Sequence, residues 1–440
     1  MASKEDLKAL AFQEIDARAD EIVGIAQTIL KHPEPGFRET KTSRLVGNKF
    51  ADLGIPARSG LAITGVKGEL VGGTEGPTLA ILGELDSLIV QEHPHSDVET
   101  GAAHACGHHC QIAMLIGATM GLMSSQVLSE LSGRLVLMAV PAEEYIEIEY
   151  RDSLRREGKI EFLGGKPEMI RLGELDDVNL AMMLHTTSNP SEKQIAISGT
   201  NNGTVAKKIQ FAGKGSHAGG APHLGINALN AATLAISAIH FNRETFRDDD
   251  TVRVHPIITK GGEAVSAVPS DVRMETFVRA RTLDALTDAN HKVNRALRAG
   301  AMAVGANVTI QTMPGYMPLD QNKEMAGVFE QNAESLVGRE NVGHINHRTG
   351  STDMGDISQL MPAIHPYVGG ATGLGHGADY VVRDYNLAVI TAAKALAGTA
   401  VDLMADGAKQ AGSIIAGHRP NMTRDEYLKF MRSMATEETF

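Results

Sequence analysis

Apolar positions recur at helical spacing over residues 14–31 and 38–53, then give way to short runs of strand character at 61–71 and 78–85. Those periods predict two amphipathic helices followed by two strands. The second strand ends in Gly83-Glu84-Leu85-Asp86, which puts acidic groups at its C-terminal end. A Gly- and His-rich turn at 101–109 leads into an apolar helical run at 111–124. The run RLVLMAVPAEE (134–144) predicts a strand with carboxylates just past its end, and NLAMMLH (179–185) predicts one that ends on a histidine. Strands alternating with helices imply a mostly parallel sheet, and in open sheets of that kind ligands gather beyond the carboxyl ends of the strands. Four polar clusters fall at such places.

Near residue 200 the pattern changes to strand 204–213, helix 225–241, strands 251–259 and 270–280, helix 284–303 and strand 306–313. That order, β-α-β-β-α-β, is the ferredoxin-like split βαβ unit. Residues 323–440 return to helix and strand alternation. The fold class is therefore α/β: a domain of residues 1–199 and 316–440, with residues 200–315 inserted as a ferredoxin-like α+β domain. The tail 405–440 is mixed and charged, and no role is assigned to it.

A chain of 440 residues exceeds the usual size of one core, which agrees with two domains. Its formal charge of −12 argues against nucleic acid or an anionic membrane as partner, since both need concentrated Lys and Arg. A small substrate fits better. The N-terminus MASKEDLKAL lacks the apolar core of a signal peptide, and a cytoplasmic location is expected. Two cysteines are too few for a disulfide scaffold, but Cys106 and Cys110 share one stretch with His104, His108 and His109.

That stretch can present a thiolate and imidazoles from a turn at a helix start, where free N–H groups favour a thiolate. The plainer reading is a buried Cys with chance histidines. Glu143-Glu144 would ordinarily be a solvated face, yet the pair follows a buried-looking strand, where one carboxylate can bind metal while its neighbour moves a proton. His185 and His376 complete a possible ligand set. A lone His is more often structural, but glycines flank His376 in Gly373-Leu374-Gly375-His376-Gly377 and permit close backbone approach.

Taken in order, GELDSL (83–88), HACGHH (104–109), PAEE (141–144), MMLH (182–185), GKGSHAGGAPHLGINAL (213–229), VRARTLD (278–284), GSTDMGDIS (350–358) and GLGHGAD (373–379) resemble the aminoacylase, metallo-carboxypeptidase and auxin-conjugate amidohydrolase superfamily, in the branch whose metal turn reads H-x-C-G-H. The resemblance implies a metal-binding catalytic domain and an inserted dimerisation (lid) domain. It implies one or two divalent ions, Mn or Zn, on Cys106, His108, Glu144, His185 and His376, with Cys106 bridging. Glu143 becomes general base and acid, and Asp86 a carboxylate that orients a ligand. His217 resembles the histidine that reaches an active site across a homodimer interface to stabilise an oxyanion. Arg281 matches an arginine that holds a substrate carboxylate, and His223 a further substrate-binding position. Two departures stand out: His109 replaces the usual Asp or Asn, and E-L-D replaces D-x-D.

The implied activity is hydrolysis of an amide bond in a small carboxylate-bearing molecule, an N-acyl amino acid or aromatic amino-acid conjugate, by metal-activated water. A rival on the same site is hydrolytic deamination of a nitro-substituted aminobenzoate. A rival of another class is a catalytically inactive small-molecule binder that kept the fold, against which the joint presence of all the proposed ligands and Glu143 counts.

Overall fold

Residues 78–84 are buried without interruption, as expected of a strand covered on both faces. In the computed structural model, which describes residues 2–440, this strand (Thr74–Glu84) lies inside a six-stranded sheet. Its neighbours are Ser132–Val140 on one side and Leu180–Met183 on the other, both parallel to it. Ala363–Ile364 extends the parallel side, and Gly65–Val71 and Ala57–Leu61 add an antiparallel edge. The mixed but mostly parallel sheet therefore brings Glu84, Val140 and Met183 to one end, and the polar runs that follow each strand emerge there. The first packed unit consists of residues up to Gly199, Asp320–His347 and Asp356–Arg424.

The helical run expected at 14–31 is two helices, Lys4–Ala17 and Ala19–Leu30, parted at Arg18. The first begins in a capping box between Ser3 and Asp6, which satisfies two helix-end N–H groups. Helix His108–Leu122 starts three residues earlier than the apolar run suggests and is buried along its whole length. Among the described residues one helical run, Asn386–Met404, has the length and apolar composition to cross a membrane, but 78% of its apolar window is buried within the protein. Its apolar side chains belong to the same core as the His108–Leu122 helix.

The second unit comprises Thr200–Leu319, Arg348–Gly355 and Asp425–Phe440. Its sheet runs Arg253–Val254, Asp271–Ala280, Gly203–Ala212, Asn307–Pro314, Thr436–Thr439, all antiparallel, with Ile257–Lys260 also paired to Asp271–Ala280. Helices Ala228–Phe241 and Leu283–Val304 supply the rest of its apolar core. The expected strand 251–259 is two pieces, and Pro256 sits between them, where the missing N–H interrupts a ladder.

The expected border at 315 needs correction, because residues 316–319, 348–355 and 425–440 pack with the second unit. Asn202 accounts for one of these segments: its backbone N–H bonds to the carbonyls of Arg348 and Gly350, and its side chain donates to Thr349 O. The tail joins for a different reason. Thr436–Thr439 hydrogen-bonds along the edge of Asn307–Pro314, Phe440 and Val308 exchange both backbone bonds at 2.9 Å, and Arg298 lies over the Phe440 ring. A sheet edge left unpaired would invite another strand, and here the chain's own end occupies it.

Candidate metal centre

Gly107 separates Cys106 from His108 and opens the His108–Leu122 helix with φ +95°, a conformation that favours glycine. A Cβ at this position would lie 2.0 Å from Thr186 Oγ1, so no larger residue fits the turn as built. Thr186 in turn donates to the Cys106 carbonyl at 3.2 Å and bonds the Tyr380 hydroxyl at 2.7 Å. His108 Nδ1 donates to Asp86, 2.9 Å from its carbonyl and 3.2 Å from Oδ1. That bond places the ring proton on Nδ1 and frees the Nε2 lone pair, the usual device for orienting a metal-binding imidazole.

The second loop is Pro141–Glu144. Ala142 has φ +56°, a costly conformation for a residue with a side chain, and buried polar groups hold it. Its N–H donates to Glu39 Oε1 at 2.8 Å, and Arg151 donates to the carbonyls of Ala142 at 3.1 Å and Leu163 at 2.7 Å as well as to that of Glu144. The Glu144 N–H donates to Asp86 Oδ2 at 2.9 Å. Asp86 thus ties both loops together, one oxygen toward His108 and the other on Glu144.

Three sets of donor atoms converge, each with its members within 4.8 Å of one another: Cys106, His108 and His185; Cys106, Glu144 and His376; and Glu84, His108 and Glu143. Cys106 Sγ is 3.4 Å from His185 Nε2, and His376 Nε2 is 3.4 Å from Glu144 Oε1. His185 donates from Nδ1 to the Thr186 carbonyl, which leaves the Nε2 lone pair on the side of Cys106. His376 has φ +66°, its N–H bonds to Ala105 O, and its side chain is 57% exposed. The first two sets share only Cys106, as two ions with a bridging thiolate require. His108 Nε2 and Glu144 Oε1 are buried without a hydrogen-bond partner, a state that costs energy unless a cation takes the lone pairs. Sulfur, imidazole and carboxylate donors together suit a zinc-class divalent ion.

Burial, then the Glu144 carboxylate, push the Cys106 thiol well above its ordinary value, so a thiolate here needs a neighbouring cation. Burial disfavours the charged form of His108, but Glu84 and its other neighbours outweigh this and hold its pKa well above normal, so a cation taking the Nε2 lone pair displaces a proton from it. His109 is pushed down to about 3 by burial and then by His108. His104 is pushed well below its usual value by burial and then by His109, whose ring centroid is 5.2 Å away. Both rings are therefore neutral, and neither joins a donor set among the described residues.

Three groups at this centre have no role in the sequence reading. Glu84 closes a buried strand and bonds Lys166 Nζ at 2.6 Å, both side chains being fully buried. Its position at a strand end was a usable signal; Lys166, in the Arg- and Glu-rich segment after PAEE, carried none. Glu39 is buried, accepts from Thr64 Oγ1 at 2.7 Å and supports Ala142. Burial, then Asp86, raise its pKa to about 8, so it is a neutral acid at pH 7.

The remaining sequence-selected residues belong to the second unit. His217 is exposed, and its Nδ1 accepts the N–H groups of Gly219 at 3.1 Å and Gly220 at 2.9 Å. The ring proton is therefore on Nε2. His223 is exposed in the Pro222–Leu224 turn. Arg281 is exposed just past Asp271–Ala280, its N–H bonded to Asp250 O. Arg279, two residues earlier, is half-buried over the Phe277 ring.

Residues 80–402 match Peptidase family M20/M25/M40. The mouse (Mus musculus) Xaa-Arg dipeptidase is 28% identical over 426 residues, covering 92% of this chain and 90% of its own. The Arabidopsis thaliana IAA-amino acid hydrolase ILR1-like 4 is 27% identical over 362 residues, 80% of this chain and 77% of its own. In fold, the chain is similar to the YXEP protein of Bacillus subtilis, a dinuclear metal-binding peptidase, with a TM-score of 0.65 at 21% identity over 88% of this chain and 99% of that one. With the family matched over most of its length and the donor sets assembled, the chain belongs to Peptidase family M20/M25/M40 and is a metal-dependent hydrolase of C–N bonds.

Proposed function

We propose that the protein hydrolyses the amide bond of a small carboxylate-bearing substrate, an N-acyl amino acid or an aromatic amino-acid conjugate. The observation that carries this reading is Glu143. It is buried, follows the strained Ala142, and sets its carboxylate among the donor atoms while its neighbour Glu144 belongs to a different set. Adjacent residues on one rigid turn are thereby free to divide ligand and proton-transfer roles. Bound divalent ions, Mn or Zn, would be held by Cys106, His108, Glu144, His185 and His376 and supply Lewis acidity toward water and the scissile carbonyl. Glu143 accepts the proton that water loses and returns it to the departing amine nitrogen. Asp86 keeps His108 and the Glu144 loop oriented throughout.

In the second unit, His217 offers an Nε2–H donor whose direction is set by the two glycine N–H groups on Nδ1, which suits it to a developing oxyanion. We place it in the active site of a second copy, in a homodimer formed through residues 200–315. Arg281 then binds the substrate carboxylate, for which the planar guanidinium fork is well shaped, and His223 is a further substrate-binding residue. The names of the similar proteins, a dipeptidase and an IAA-amino acid hydrolase, support amide hydrolysis next to a carboxylate. The cytoplasm is the proposed location.

Purified protein loaded with Mn or Zn should hydrolyse members of an N-acyl amino acid and aminobenzoyl-glutamate panel, and chelation should abolish turnover. Glu143→Ala should lower turnover at least about a hundredfold with metal retained. Mixed dimers of His217→Ala and Glu143→Ala protomers should regain activity, because one of their two sites has both residues intact. Ammonia release from a nitro-substituted aminobenzoate without amide turnover would replace this reading with deamination. Full activity without metal would end it.

A further inference from the structure

Glu84 is the residue at the centre whose geometry is least explained by packing. Its Oε2 lies 3.1 Å from His108 Nε2, yet the two are not aligned for a hydrogen bond, since that nitrogen has no partner. A simple Glu–His pair would point the N–H at the oxygen. Two atoms that close, with the nitrogen lone pair aimed elsewhere, instead converge on a third point. Donors bound to one ion at about 2.0–2.2 Å are about 2.8–3.6 Å apart in octahedral or tetrahedral geometry. The Glu84–His108 spacing falls in that range, as do the 3.4 Å separations of Cys106 from His185 and of His376 from Glu144.

The rest of the Glu84 carboxylate is already engaged. Oε1 takes Lys166 Nζ at 2.6 Å, and Oε2 accepts one N–H of Gln111 at 2.7 Å while Gln111 Oε1 accepts the Glu84 N–H. A carboxylate oxygen has a second lone pair, and on Oε2 this pair remains for the direction of His108 Nε2. Lys166 and Gln111 fix the carboxylate so that only one oxygen can reach an ion.

Resting on the metal-centre reading above, we propose that Glu84 is an additional protein ligand, bound through Oε2 alone to the ion held by His108, with Lys166 neutralising its other oxygen. The ion on Glu144 and His376 already has its one carboxylate in Glu144. With Glu84 the other site has four protein donors against three and binds its ion more tightly, and the two sites fill in sequence.

The rival role for Glu84 is to keep a proton on His108 Nε2, which competes with metal, and the two roles predict opposite signs. The test is chelator-competition titration and elemental analysis of the intact protein with Mn, Zn and Co(II), together with the d–d absorption of the Co(II) form. For Glu84→Gln, affinity for the tighter ion should fall at least about tenfold, with the weaker ion unaffected and the Co(II) bands shifted. Because Glu84→Gln removes the carboxylate that Lys166 Nζ bonds, the double variant Glu84→Gln/Lys166→Met is measured alongside it. It removes both charges at similar size, and it should show the same loss and band shift. Unchanged or tighter metal binding in either folded variant overturns the proposal. Weaker binding with unmoved Co(II) bands also overturns it, since Glu84 would then only position His108. Wild-type protein that binds no ion at all would instead bring down the metal-centre reading itself.

Discussion

Glu39→Gln isolates the energetic effect of one buried acid on the catalytic loops. In the folded protein the carboxyl is fully enclosed, and burial followed by the nearby Asp86 raise its pKa from 4.5 to about 8. The folded state therefore keeps the proton between those values while the unfolded chain has lost it. Stability falls as pH rises wherever the native state holds more protons. The contribution of Glu39 is thus fully present below pH 4.5 and is lost as pH rises through 8. At about 1.4 kcal/mol per pH unit, the window is worth up to about 5 kcal/mol. Gln is the neutral isostere. Its amide oxygen can accept the Ala142 N–H as Oε1 does, and its NH₂ can donate to Thr64 Oγ1 once that hydroxyl turns. Denaturant midpoints of both proteins, measured from pH 5 to 9 under identical metal saturation, should be close at pH 5 and diverge in favour of Glu39→Gln by pH 8.5. A wild-type-minus-variant difference that stays flat across this range would refute the claim that Glu39 is neutral in the fold.

Gly107→Ala should cost about 2–5 kcal/mol and reduce bound metal in elemental analysis, because the new Cβ meets Thr186 Oγ1 at 2.0 Å and φ is +95°. Ending the chain at Ala435 should destabilise the second unit by about 1–3 kcal/mol and raise amide exchange at Thr309–Thr312, since the paired edge is lost. Exchange in the first unit's sheet should be unchanged. Arg281→Ala should raise KM for carboxylate substrates at least about tenfold with metal content intact, whereas Arg279→Ala having the larger effect would transfer that role to Arg279.

Periodicity alone was enough to read the parallel sheet, the helix after the HACGHH turn and the β-α-β-β-α-β order, because burial of one face imposes its period on the residues that form it. The short motifs likewise named Cys106, His108, Glu144, His185 and His376, which the fold gathers into two sets sharing a thiol. What sequence could not disclose depends on groups distant in the chain. Glu39 carries no local sign that it will be sealed beneath the Pro141–Glu144 loop, and Lys166 reads as one more charge in a charged segment until Glu84 closes on it. The tail is the same case in backbone form: TEETF has no apolar alternation and becomes a strand because the edge at Asn307–Pro314 offers unpaired N–H and C=O groups. Local pattern determined which segments would be strands and helices and which side chains could bind metal. Only the tertiary structure decided which charges would be buried against one another, since desolvation and pairing act between residues far apart in the chain and leave no period along it.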